Sequence, residues 1–372
     1  MRALAPVEAQ GAVSVTTRNT TRVGGANAAA DAAAVARVAY PGLTSASRPQ
    51  TVVLVDQSDW PAALAAASLA AAPLNAPLLY AEGNSLPQVS REALEAMHPT
   101  GTGPLGVQVL EVGTDAPLPA GYTAQPVPSG YPAATAVQVQ RLLVQAEGTR
   151  PAQVIVLDTD GARALQMPAP GLAAESGAPL LLTSSATLSP ATASELRLLG
   201  HPSIYVMNGS ALSPAALGEL AKLGRVTQIP ASEHGEAPSP GGAALAAARF
   251  TDGTFGWGVK DPGHGLVFAS SRRPLDAPAA ALLSATGEYG PLLLLEGPDG
   301  IEPPLAAYLS DIQPAYTSAP EFRPVRGVYN HGWLIGDERA ISLTTQAEID
   351  SLLEISPRAG GGAAEEAATQ SE

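Results

Sequence analysis

The chain carries NAPLLYAEG at residues 75–83, GAPLLLTSS at 177–185 and YGPLLLLEG at 289–297, and in each a proline precedes a run of aliphatic residues. The three prolines, Pro77, Pro179 and Pro291, are 102 and 112 residues apart. Short, near-continuous apolar runs are typical of parallel strands that are buried on both faces. Their recurrence predicts a chain built from three copies of one structural unit.

A second apolar run lies upstream of each of these stretches. Between the two runs is an alanine- and leucine-rich segment, such as residues 61–72, that is long enough for a helix. A strand, a crossover helix and a second strand form a βαβ unit, which implies a parallel sheet. The upstream runs are TVVLVD (51–56), QVIVLD (153–158) and HGLVFAS (264–270).

Other elements recur in the same order in each copy, so the fold class is predicted to be α/β, with three tandem open parallel-sheet domains. The predicted domains span 16–122, 123–230 and 231–356, with an N-terminal arm at 1–15 and a disordered Gly-, Ala- and Glu-rich tail at 357–372. The recurring elements are opening helices at 27–40, 133–146 and 242–249, later helices at 86–97, 188–199 and 301–312, and closing strands at 107–113, 203–209 and 332–336.

Charge and composition limit the classes of partner. The net charge of −14 and the pI near 4.8 disfavour nucleic acid, because such a chain repels phosphate backbones. The absence of cysteine removes disulfides and thiolate chemistry.

No signal peptide is visible at the start of the sequence, and the longest apolar stretch, 62–80, is interrupted by polar residues and prolines. No transmembrane segment is predicted.

Two segments of the first copy resemble the type 2 cell wall-binding repeat family. TTRVGGANAAADAAAVARVAY (20–40) is similar to the family's opening Thr-Arg, hydrophobic residue, glycine and Ala-rich helix. DWPAALAAASLAAAPLNAPLLY (59–80) is similar to its Phe-Pro-Asp-Ala-Leu helix and Pro-Ile-Leu-Leu strand, and the threefold resemblance covers about 16–356. The chain departs from the family where Ala28-Ala29 replaces Arg-Tyr, where Ala62 replaces the helix Asp, and where the second and third copies lack Thr-Arg.

This resemblance implies Rossmann- or toprim-like domains around a pseudo-threefold axis, and a location in the cell envelope or outside the cell. It also implies non-covalent binding to an anionic cell wall polymer, or contact with other envelope or assembly proteins, with the proline–leucine strand implicated. Buried parallel strands need aliphatic residues whatever their function, so we favour a core role for these strands. The positions concerned are Pro77, Leu78, Leu79, Pro179, Leu180, Leu181, Pro291, Leu292 and Leu293.

The sequence offers few candidates for chemistry. Asp158 and Asp160 follow a predicted strand and are weak candidates for a cation site, but the corresponding residues 56–59 and 270–272 do not repeat the pair. The five histidines form no H-E-x-x-H motif, and no nucleophile elbow or phosphate loop occurs. We therefore expect no catalytic residues, no metal and no cofactor.

The leading hypothesis is a non-catalytic cell-surface or wall-associated protein, acting as a wall-binding module or as a structural or assembly subunit. The alternative is a soluble α/β ligand-binding protein or enzyme that uses clefts at the carboxyl ends of its strands. From the sequence alone, truncating Leu180 or Leu181 is expected to affect mainly the unfolding of the middle domain.

Overall fold

A computed structural model describes residues 15–207, 212–232, 235, 237–285, 290–316 and 329–357. Nearly all of the predicted N-terminal arm and C-terminal tail lies outside the described residues. Within the described part of the chain, no helix has both the length and the apolar character needed to cross a membrane.

The chain alternates between strands and helices throughout, with short 3₁₀ turns at Ser45–Ser47 and Ser68–Ala70. Its first third contains β1 (Thr20–Val23), α1 (Ala28–Ala39), β2 (Val52–Asp56), α2 (Trp60–Ala67), β3 (Leu78–Ala81), α3 (Gln88–Met97), β4 (Val109–Val112) and β5 (Ala124–Val127). The middle third contains α4 (Pro132–Glu147), β6 (Gln153–Asp158), α5 (Arg163–Gln166), α6 (Pro168–Ser176), β7 (Leu180–Thr183), α7 (Pro190–Leu199), β8 (Ser203–Met207), α8 (Pro214–Ala221) and β9 (Arg225–Ile229). The last third contains α9 (Pro240–Arg249), β10 (Gly265–Ser270), α10 (Asp276–Ala285), β11 (Leu292–Leu295), α11 (Pro303–Asp311), β12 (Ala315–Tyr316), β13 (His331–Ile335), α12 (Leu343–Leu353) and β14 (Ser356–Pro357).

The described strands form three four-stranded parallel sheets and one small pair, β12 with β14. The strand orders are β3-β2-β4-β5, β7-β6-β8-β9 and β11-β10-β13-β1, and we call the units around them the first, second and third domains. Each proline–leucine strand occupies the same edge of its sheet, beside the first strand of its βαβ unit. The predicted α/β class with three tandem parallel-sheet domains is therefore confirmed. The equivalent strand pairs align Val53 with Leu78, Ile155 with Leu180 and Val267 with Leu292.

The fourth strand of each sheet leads into the helix that opens the next domain. Strand β5 pairs with β4 before α4 begins, and β9 pairs with β8 before α9 begins. In the third sheet this position belongs to β1, from the start of the chain, which pairs with β13. The predicted segment 16–122 thus contributes its first strand to the third sheet. The three domains close into a ring in which one of the junctions is non-covalent.

The helices between the two strands of each βαβ unit meet at the centre of this ring. Helices α2, α6 and α10 contact one another, and their alanines Ala67, Ala174 and Ala281 share one small apolar cluster. The opening helices extend the pattern, because α4 packs on α2, α9 on α6, and α1 on α10. Small side chains allow these helix backbones to approach closely, which explains the alanine-rich composition.

Each proline–leucine strand faces two different cores. Leu180 and Leu182 point into a large cluster that contains residues of all three domains, whereas Leu181 points into a cluster formed by the second domain alone. This alternation follows from the two-residue period of a strand. Equivalent residues behave alike in the other sheets, with Leu78, Tyr80, Leu292 and Leu294 in the shared cluster and Leu79 and Leu293 in single-domain clusters.

Hydrogen bonds to the third domain hold β1 in its sheet. Arg22 is buried, and its guanidinium donates to Gln346 Oε1 at 3.2 and 2.9 Å and to the Gly336 carbonyl oxygen at 3.1 Å. Gln346 Nε2 in turn donates to Thr20 Oγ1 at 3.0 Å. The second and third copies lack the Thr-Arg pair, and their fourth strands are covalently continuous with their own sheets. The retained Arg22 thus lies at the junction that has no covalent link.

Replacing Leu180 or Leu181 with Ala should cost about 2 to 5 kcal/mol of unfolding free energy, because each leucine is at most 1% exposed and leaves a cavity. Since one core joins all three domains, we expect a single unfolding transition in place of the separate middle-domain transition predicted from sequence. Calorimetry of both variants checks this, and an unchanged melting temperature or three separate transitions would contradict it.

Arg22→Met should destabilise the ring by about 2 to 4 kcal/mol, because it leaves buried acceptors on Gln346 and Gly336 without a donor. Arg18→Met is the matched control. Arg18 is 73% exposed and pairs with Glu354 at the surface, so its loss should cost less than about 1 kcal/mol. Denaturant unfolding of the two variants compares them, and equal losses would refute the role given to Arg22.

Candidate functional site

The proline–leucine strands, which the resemblance links to polymer binding, are buried throughout. All nine positions are buried, and the six leucines are at most 4% exposed. The carbonyl oxygens of Pro77, Pro179 and Pro291 accept hydrogen bonds from the neighbouring strand at 2.9 to 3.1 Å. These side chains therefore fill the cores, and a polymer at the protein surface does not reach them.

The predicted acidic pair ties two loops together. Asp158 Oδ1 accepts from the Asp160 backbone N–H at 3.0 Å. Asp160 Oδ2 accepts from the Ser185 backbone N–H at 2.8 Å and from the Ser185 hydroxyl at 3.0 Å, and these bonds lower the pKa of Asp160. The Asp160 carboxylate thus joins the loop after β6 to the loop after β7, and the Asp158 carboxylate stabilises its own loop. No group of three or more His, Asp or Glu side chains suited to a metal ion occurs among the described residues.

A buried charged cluster lies where the first and third domains meet. Asp31 on α1 and Asp276 at the start of α10 are both fully buried, and Arg273 lies between them. Arg273 forms an ion pair with Asp31, lies 3.3 Å from the Asp276 carboxylate and 3.5 Å from that of Asp337. The Gly25 backbone N–H also donates to Asp31, at 2.6 Å. The cluster therefore links the first and third domains at the non-covalent junction.

The two buried carboxyl groups of this cluster have raised pKa values. Burial raises the pKa of Asp31 to about 6, and the Arg273 guanidinium opposes this rise. Burial also raises the pKa of Asp276 well above its usual range, and the nearby Asp31 carboxylate adds to the effect. Sequence reasoning did not single out these residues, although an isolated Asp within an alanine-rich helix was a usable signal.

The other two junctions use different contacts. Between the first and second domains, the buried Trp60 indole donates to Gln166 Oε1 at 3.2 Å, and the Leu180 backbone N–H donates to Ser68 Oγ at 2.9 Å. Between the second and third domains, Tyr205 stacks on Phe255 with 3.8 Å between ring centroids. None of these contacts resembles catalytic chemistry, and all of them fix one domain against the next.

The third domain contains a cavity of about 540 Å³ between α9, α11 and the carboxyl end of β11. Its polar end includes Glu296 and Glu302, and its floor includes Leu245, Leu294 and Leu305. A hollow of this size at the end of a parallel strand is the usual position for a ligand in an open α/β sheet. We call it the α9–α11 cavity.

Comparison with known proteins identifies a shared fold. No protein-family model and no curated protein sequence matches the chain. Among solved structures, the chain is similar to Cwp6 from Clostridium difficile, with a TM-score of 0.67 and 15% sequence identity. The match covers 94% of this chain and 51% of that chain, so this chain spans about half the length of Cwp6. At this identity the likeness shows only that nearly the whole chain shares the fold of part of Cwp6.

Stability should fall as pH rises from about 4 to about 6, because Asp31 binds a proton more tightly in the folded protein than in the unfolded chain. The contribution of Asp31 to the free energy of unfolding is fully present below pH 3.8, the ordinary pKa of an aspartate. It is lost as the pH rises through about 6. At about 1.4 kcal/mol per pKa unit, the loss amounts to at most roughly 3 kcal/mol. Urea unfolding across this range should show the loss in the wild-type protein and a reduced loss in Asp31→Asn, where Asp276, whose pKa is also raised, still lowers stability as the pH rises.

Asp252→Asn provides the control for this pH series. Hydrogen bonds, first from the Thr254 backbone N–H and then from the Tyr205 hydroxyl, lower the pKa of Asp252 to about 2. This substitution should therefore change the pH dependence only below about pH 4. An unaltered slope between pH 4 and 6 in Asp31→Asn would show that Asp31 is not the titrating group.

Proposed function

We propose that this chain is a non-catalytic protein of the cell envelope, acting as a wall-associated binding module or as a structural subunit. The observation that carries the proposal is the likeness to Cwp6, a cell wall protein, which extends over 94% of the chain. The sequence resemblance to wall-binding repeats supports the same assignment independently of the structure.

The use of polar groups in the ring also supports a non-catalytic role. In open α/β sheets, reactive groups usually lie at the carboxyl ends of the strands. Here Asp56 accepts from Ser58 at 2.9 Å and Asp160 accepts from Ser185 at 2.8 Å, so both carboxylates stabilise loops. Asp31 and Asp276 contact Arg273 at the junction of the first and third domains. These four carboxylates thus have structural partners.

The charge of the chain indicates which envelope component it contacts. A protein with a net charge of −14 is repelled by an anionic polymer at low ionic strength. Contact through neutral or cationic parts of the envelope is therefore favoured over direct binding to phosphate- or carboxylate-rich chains. This favours the structural or assembly role over simple adhesion to an anionic polymer.

Sedimentation with purified bacterial cell walls tests the proposal. The full chain should pellet with walls, and chemical removal of the anionic polymers should leave this binding intact or increase it. An acidic globular protein of similar net charge serves as the control and should stay in solution. A chain that stays in the supernatant with both wall preparations would overturn the wall assignment.

A second candidate function is supported by the α9–α11 cavity, because its volume of about 540 Å³ lies within the usual range of small-molecule sites. A soluble ligand-binding role would use this cavity without any wall contact. Binding of a small ligand by a chain that fails to pellet with walls would favour this alternative.

A further inference from the structure

The first turn of α9 forms one wall of the α9–α11 cavity. The first turn of α9 contains Gly241 and Gly242, whereas α1 and α4 have alanines at both equivalent positions after the N-cap. Glycine has a lower helix propensity than alanine, so two glycines in one turn do not favour the helix itself. A Cβ at Gly241 would lie 3.6 Å from both Glu296 Oε1 and the Leu294 carbonyl oxygen, facing the cavity. The absence of a side chain at Gly241 thus keeps this wall open.

The floor of the cavity is apolar and rigid. Leu245, Leu294 and Leu305 line it and are each at most 3% exposed, so their positions are fixed by the cores beneath them. Such a surface stabilises a bound aliphatic group and provides little binding energy for a strongly hydrated group.

The polar end of the cavity is negatively charged. Glu302 Oε1 accepts from the Glu296 backbone N–H at 2.9 Å, which holds the Glu302 carboxylate in place. Glu302 Oε2 is shielded from solvent and has no hydrogen-bond partner among the described residues. Because Glu296 and Glu302 both line the cavity, a cation at this end would be stabilised by their negative charge.

The positive charge on the lining is neutralised within the protein. The Arg249 guanidinium donates to Asp311 at 2.8 Å and lies over the Tyr308 ring, 4.8 Å from its centroid. Glu296 and Glu302 are therefore not balanced by this arginine. An anionic ligand would meet two carboxylates, whereas a cation would meet complementary charge.

From this arrangement we propose that the α9–α11 cavity binds a primary ammonium group carried on an aliphatic stem. The ammonium group supplies three donors for the carboxylates of Glu296 and Glu302. The methylene stem lies along the floor formed by Leu245, Leu294 and Leu305, as the stem of a lysine side chain packs on apolar surfaces. The ligand is a free aliphatic diamine or the lysine side chain of a peptide. This site does not depend on the wall assignment.

Isothermal titration calorimetry of the full chain at low ionic strength tests the site. The probes are 1,5-diaminopentane, a peptide containing one lysine with blocked termini, neutral 1-pentanol and anionic pentanoate. We expect saturable binding of the amine probes only, weakened by added salt. Binding of the diamine alone assigns a small-molecule site, and binding of the lysine peptide as well assigns a peptide partner. No amine binding, or equal binding of 1-pentanol or pentanoate, would overturn the proposal.

Two variants with matched controls locate the binding. Glu302→Gln keeps an oxygen for the Glu296 N–H but removes the charge, and it should weaken amine binding at least tenfold. Gly241→Leu fills the cavity and should abolish binding. Glu219→Gln and Gly218→Leu on the exposed face of α8 make the same changes elsewhere, where nothing lies within 4 Å of a Cβ at Gly218, and should leave binding unchanged. Wild-type affinity in a folded Glu302→Gln variant would refute the site.

Discussion

Pairing between β1 and β13 is the contact on which the rest of the architecture depends. The Gly332 backbone N–H donates to the Asn19 carbonyl oxygen at 2.8 Å, and the Gly336 N–H donates to that of Val23 at 3.1 Å. This pairing completes the third sheet and directs α1 onto α10. Without it the chain would be an open row of domains, with an unpaired edge at β13 and an exposed apolar face on α10. The shared core therefore requires that the two ends of the ring stay together.

The three junctions differ because only one of them must hold without a covalent link. The junctions inside the chain combine neutral contacts, through Trp60 with Gln166 and Tyr205 with Phe255, with partly exposed charged ones such as Arg225 with Asp252. At the non-covalent junction, Arg273 pairs with Asp31 across the interface and lies beside Asp276. Buried ion pairs often add little net stability, but losing one partner leaves a buried charge and is strongly unfavourable. Such a cluster favours the correct docking of α1 over alternative packings.

The fold class was predictable because buried parallel strands leave a clear apolar pattern, as the stretches after Pro77, Pro179 and Pro291 show. The pairing of β1 with the third sheet was not predictable, because the sequence of a four-residue strand such as Thr20–Val23 does not indicate which sheet it joins. The α9–α11 cavity depends on how far apart two helices lie, which side-chain volumes decide in three dimensions. Asp158 and Asp160 looked like a cation site because sequence shows two carboxylates but not the serine and backbone donors that occupy them.

Native-state hydrogen exchange measured residue by residue tests the central claim, that one closed ring with one shared core forms a single cooperative unit. The account predicts that the slowest amides of β1, β2, β6 and β10 exchange with the same free energy of opening, equal to that of global unfolding. Exchange from β1 and β13 at a clearly lower free energy than from β2 and β6 would contradict it, because the ring would then open without loss of the remaining core.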